Sequence, residues 1–164
     1  MFSRVLGIRV VAALIVCASH IPAAAHELAL RWVTSEGRIL ADKTLTLAEL
    51  DALTQTTFVA HTPWTEGPQT FSGPSPKVLA SLENLAIVRA RVVALNDYAA
   101  SIPATDLTQS GAILATRLNE QTMRVRDKGP FWIMYSSGGD PSSIPYIKQS
   151  RMVWQVKYIE FVTK

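Results

Sequence analysis

Met152-Val-Trp-Gln-Val-Lys-Tyr-Ile-Glu-Phe-Val162, near the C-terminus, is dense in β-branched and aromatic residues and reads as a strand. Working outward from it, Phe131-Trp-Ile-Met-Tyr135 is a second such run, and Ile87 to Leu95 is a third that stops at the turn pair Asn96-Asp97. Leu28, Leu30 and Trp32 alternate with Ala29, Arg31 and Val33, the period of a half-buried strand. Gln55 to His61 reads as a strand that ends at Thr62-Pro63-Trp64, because proline cannot donate to a ladder. Ala112 to Leu118 and Met123 to Val125 flank Asn119-Glu120-Gln121 as the arms of a hairpin. Two helices are announced by their caps. Thr46-Leu-Ala-Glu49 has capping-box spacing and predicts a short helix through Leu53. Ser75-Pro76 places a cap before a first-turn proline, with Leu79, Leu82 and Leu85 following. About seven strands with two or three short helices make an α+β domain, a mixed sheet with helices set against it.

The chain has 164 residues, 48% of them hydrophobic and 18% charged, with 16 Lys and Arg against 13 Asp and Glu. This describes one globular domain, without internal repeats or a linker to divide it. Its first 25 residues have the three parts of a secretory signal peptide: Arg4 and Arg9, the apolar run Val10 to Ala18, then Ala23-Ala24-Ala25. The apolar run falls short of the roughly 20 residues of a membrane span. Cleavage after Ala25 is expected, leaving residues 26–164 as the working domain in the periplasm. Arg4, Arg9 and the lone cysteine, Cys17, leave with the signal, so the charge falls from +3 to about +1. A thiol-free domain suits an oxidising compartment. A domain so nearly neutral lacks the electrostatic footprint for a phosphate backbone, so nucleic acid is set aside as a partner despite a pI near 9.2.

Residues 26–164 offer no nucleophile triad: there are two histidines, His26 and His61, no cysteine and no serine in an elbow motif. An N-terminal His26 with His61 could form a copper brace, although two histidines this far apart in sequence are usually unrelated. More informative are aromatic and polar residues at strand ends: Trp64 on a turn, Asp97-Tyr98 past a strand, Arg124, Arg126, Asp127 and Lys128 before Gly129-Pro130, and Ser150-Arg151 before the last strand. Two readings stand side by side. One is a salt-bridged loop surface with Trp64 and Trp154 covering the core. The other is a cleft for a flat heterocycle, with a ring to stack on it, a carboxylate for paired N–H donors and basic groups for an anionic tail.

The order of Thr62-Pro-Trp-Thr-Glu-Gly67, Phe71-Ser-Gly73, Leu95-Asn-Asp-Tyr98 with Ile102-Pro103, Arg126-Asp-Lys-Gly-Pro-Phe-Trp132 and Ser150-Arg-Met-Val-Trp-Gln155 resembles the molybdopterin-binding oxidoreductase domain of the sulfite-oxidase fold. It covers most of residues 40–162. More narrowly, the chain is similar to small exported pterin-binding regulators of the PruR type. In catalytic members a cysteine thiolate ligates molybdenum, in the segment that here reads Thr57-Phe-Val-Ala-His-Thr-Pro-Trp64 without a cysteine. The resemblance therefore implies a domain without the metal site, which keeps recognition of the pterin ring, reduced pterins included.

On that resemblance Asp97 is expected to take the pyrimidine edge and Trp64 and Tyr98 to stack on the ring. Arg126, Lys128 and Arg151 are expected at the ring oxygen or an anionic substituent. The implied partner is the periplasmic domain of a membrane enzyme of cyclic di-GMP signalling, the messenger of biofilm regulation. The alternatives are a molybdopterin-dependent oxidoreductase with an atypical metal site and a plain interaction module.

Overall fold

The computed structural model describes residues 26–109, 111–137 and 144–164. The expected signal peptide lies outside the described residues, as does most of the polar stretch Ser136-Ser-Gly-Gly-Asp-Pro-Ser-Ser143. The chain runs β1 (Glu27–Val33), β2 (Ile39–Thr46), α1 (Leu47–Ala52), β3 (Gln55–Ala60), β4 (Gln69–Pro74), α2 (Pro76–Ala80), β5 (Ile87–Ala94), β6 (Ala99–Pro103), α3 (Ala104–Gln109), β7 (Ala112–Ala115), β8 (Arg117–Leu118), β9 (Gln121–Thr122), β10 (Trp132–Tyr135), α4 (Tyr146–Gln149) and β11 (Val156–Thr163). A 3-10 turn, Val125–Asp127, precedes β10. The domain is a small α+β fold with many strands and few, short helices.

The main sheet has the order β2-β1-β11-β5-β6. Its central strand, β11, runs parallel to β1 and antiparallel to β5. Leu28, Leu30 and Trp32 of β1 and Ile159 and Phe161 of β11 turn to one face and are buried, and the Trp32 and Phe161 rings lie 5.4 Å apart. Trp32 Nε1 donates to Ala80 O at 3.1 Å, tying α2 to the sheet. The opposite face carries Arg31 against the Tyr158 ring and Arg91 paired with Glu160 at 2.8 Å.

A four-stranded sheet, β3-β4-β8-β9, and the pair β10-β7 form the other half. The two are joined where β4 passes β7: Thr116 N donates to Ser72 O at 2.9 Å. A Cβ on Gly73 would come within 1.9 Å of Leu114 O, so only glycine permits this approach.

Several elements differ from the sequence expectation. The expected helix through Leu85 ends at Ala80; Ser81 caps it, Leu82 packs against the core from beyond the helix, and Leu85 is exposed. The hairpin turns on Asn119 and Glu120 alone, both at positive φ as in a type I′ turn, and returns through Gln121–Thr122; Val125 belongs to the 3-10 turn. The last strand starts at Val156, not Met152. Gln155 at φ 53 breaks the extension, and its N–H and carbonyl go to Lys128 and Leu95. β2, β4 and β6 were not expected: β2 is an edge strand without a buried face, and β4 and β6 are short and poor in β-branched residues. The Thr46 capping box is present as expected, with Thr46 N donating to Glu49 Oε2 at 2.7 Å. That bond holds the Glu49 carboxyl below its ordinary pKa.

Gly73→Ala is expected to destabilise the domain by about 3 kcal/mol or more, since the clash is with backbone on the neighbouring strand and no rotamer relieves it. Urea unfolding measures this; a loss under about 1 kcal/mol would mean that the two strands separate freely.

Candidate functional site

Three indoles meet where the two halves join. Trp132 is fully buried and packs edge-on against Phe71 at 5.6 Å and Trp154 at 6.3 Å, and Trp64 lies 5.5 Å from Trp154 and 6.4 Å from Trp132. Each partner arrives for a local reason. Trp64 follows Pro63 in a turn built on Thr62, whose hydroxyl accepts from Trp64 N at 3.2 Å and lies 3.0 Å from the Thr65 hydroxyl. Trp154 pairs with Trp132 through an isolated bridge just before β11. Trp132 Nε1 donates to Met152 O at 3.2 Å, which holds the Met152–Trp154 segment against β10.

On the outer side of this cluster lies a cavity of about 340 Å³. Trp64, Trp154, Tyr98 and Tyr146 give it aromatic walls, with Met152 and Val153 between them. The volume falls in the range of small-molecule sites, and the largely apolar lining with a few polar groups has their usual character. Asn96, Gln149 and Ser150 supply the polar lining. Among the described residues the lining includes no Asp, Glu, Lys, Arg or His. The β5–β6 turn makes one rim and α4 the other. Tyr98 bridges them, its hydroxyl donating to Ser150 O at 2.7 Å.

The six residues singled out from sequence are distributed around this cavity unequally. Trp64 and Tyr98 are brought together in its wall. Asp97 is the left-handed residue of the β5–β6 turn (φ 64); its side chain is 84% exposed, 3.8 Å from Lys157, and outside the lining. Arg126 is 71% exposed on the 3-10 turn, 4.0 Å from Asp127. Lys128 places its ammonium 5.7 Å from the centroid of Trp132, a cation–π contact on the aromatic cluster. Arg151 turns toward α3 and donates to Asp106 Oδ2 at 2.7 Å. Asn96, Tyr146 and Gln149 were not singled out. The helix that carries two of them has four residues, and Pro145 before Tyr146 was its one visible signal.

The segment from Thr57 to Trp64 bears on the metal. Thr62 is buried and its hydroxyl is engaged within its own turn. A hydroxyl so held is no equivalent of a soft thiolate, and residues 26–164 contain no cysteine. The residues present do not fit a molybdenum site of the thiolate type. Among the described residues no three His, Cys, Asp or Glu side chains converge. Neither a family model nor a curated protein matches the chain.

Besides Arg151, Asp106 Oδ2 also accepts from the Tyr135 hydroxyl at 3.3 Å, and Lys148 Nζ lies 5.6 Å from the Tyr135 ring. Burial first, then the Asp106 charge, pushes the Tyr135 pKa up. The folded state thus favours the neutral phenol, while the unfolded chain ionises it near pH 10. The resulting stability is present in full below about pH 10 and lost as pH rises above it. Tyr135→Phe is expected to unfold less steeply than the parent between pH 9 and 11, measured by urea titration at each pH. Parallel curves would remove this linkage.

Proposed function

We propose that the domain is an exported pterin-binding protein of the sulfite-oxidase fold, lacking the molybdenum-ligating cysteine, that reports ligand status to the periplasmic domain of a membrane cyclic di-GMP signalling enzyme. The observation that carries the ligand half of this reading is the aromatic cavity, in which Trp64 and Tyr98, two residues of the family motifs, share one wall system. A bicyclic pteridine is flat and offers two faces for stacking, and its size suits about 340 Å³. The partner half rests on the resemblance to the small exported regulators. The absence of a soft ligand near Thr62 favours binding over metal redox chemistry.

In this reading Trp64 is the stacking surface, Tyr98 closes the rim, and Lys128 sits behind Trp132. Arg151 is a structural residue that pairs with Asp106, and Asp97 and Arg126 lie outside the cavity. Titrating residues 26–164 with a dihydropterin while following tryptophan fluorescence tests it. Trp64→Ala is expected to weaken binding about tenfold, the worth of one aromatic stack, and Asp97→Ala to leave it nearly unchanged. Thermal melting confirms that both variants are folded. Wild-type affinity in Trp64→Ala would sink the cavity as the pterin site.

A further inference from the structure

The polar groups of the cavity have a polarity set by their own backbone bonds. Asn96 Oδ1 accepts from Tyr98 N at 3.2 Å within the β5–β6 turn. A backbone N–H can be met only by the amide oxygen, so the NH2 end of Asn96 is what remains for a ligand. Gln149 is the mirror case: its Nε2 donates to Ile144 O at 2.9 Å, which leaves the amide oxygen as its ligand-facing function. One rim thus offers a donor and the other an acceptor. The rims are close, because Tyr98, two residues from Asn96, spans to Ser150, the neighbour of Gln149, with one hydrogen bond. Both amides line the same cavity between the same aromatic walls.

We propose that Asn96 and Gln149 together read a lactam edge, a ring carbonyl beside a ring N–H, on the heterocycle held by the aromatic walls. Asn96 donates to the carbonyl oxygen and Gln149 accepts from the N–H. Two neutral amides match a neutral edge without setting a charge against it. The proposal deepens the pterin reading and rests on it for the identity of the ring. The chemistry itself is shared by pterins, lumazines and guanine-type purines.

The experiment compares lumazine, a pterin, guanine and 1,3-dimethyllumazine by tryptophan fluorescence titration. In dimethyllumazine both ring N–H groups are methylated while the flat faces remain. The parent protein is expected to bind it at least about tenfold more weakly than lumazine, the worth of one hydrogen bond. Asn96→Asp keeps an acceptor for Tyr98 N and so keeps the turn, but it replaces the donor with a charged acceptor. It is expected to lose about tenfold or more for every lactam ligand, with an unchanged melting temperature. In Gln149→Met the gap between lumazine and dimethyllumazine is expected to shrink, a coupling that a purely structural role would not produce. If lumazine and dimethyllumazine bind equally, or if Asn96→Asp binds as the parent does, the edge reading is overturned while pteridine binding stands. If guanine binds with the same Asn96 dependence and no pteridine binds, the edge reading stands and the pterin reading falls. If none of the four binds, both fall.

Discussion

Trp132 is the residue on which the rest of this structure depends. Its indole is fully buried, meets Phe71 of the four-stranded sheet on one side and Trp64 and Trp154 on the other, and spends its single donor on Met152 O. Burying a ring of this size is worth a few kcal/mol. The hydrogen bond adds direction to that burial, because an unmet indole N–H in the core would itself be costly. By holding Met152 to Trp154 against β10, it also fixes where β11 can begin. The central strand of the main sheet is therefore aligned by a contact made in the other half of the molecule.

The cavity is a consequence of the same arrangement. Trp64 and Trp154 of the indole cluster line its floor, and the β5–β6 turn and α4 form its rims. Its walls come from four separated parts of the chain, near residues 64, 98, 146 and 154. Only Tyr98 and Ser150 connect one rim directly to the other by a side-chain hydrogen bond among the described residues, so a single such bond closes the mouth over the aromatic floor. This division suits a binding site, where the aromatic floor must be preorganised and the entrance must admit a ligand.

Much of the fold was legible in the chain. The alternation of Leu28, Leu30 and Trp32 marked a buried strand face, the Thr46 box marked a helix start, and Asn96-Asp97 marked the end of β5, each because the signal is local. The elements that escaped were β2, whose edge position leaves it without a buried face, and the short β4, β6, α3 and α4, whose length gives periodicity little to act on. Of the candidate site, Trp64 and Tyr98 were legible as aromatics misplaced for a core. Asp97 and Arg151 were equally conspicuous as charges, yet nothing local to them reveals that one faces solvent beside Lys157 and the other faces Asp106.

The sequence by itself determined the composition of residues 26–164, an almost neutral, thiol-free α+β stretch, and hence that no soft thiolate stands in the Thr57 to Trp64 segment. Residue types and short-range periodicity suffice for that. Only the tertiary structure decided which polar groups join the aromatic walls. Asn96 and Gln149 lie 53 positions apart in the chain, and their hydrogen-bonding polarity depends on which backbone group each amide meets first. What no pattern along the sequence encodes is their meeting: each polarity is set by a backbone group within a few residues, while the packing of a turn and a four-residue helix across one cavity brings the donor and the acceptor together.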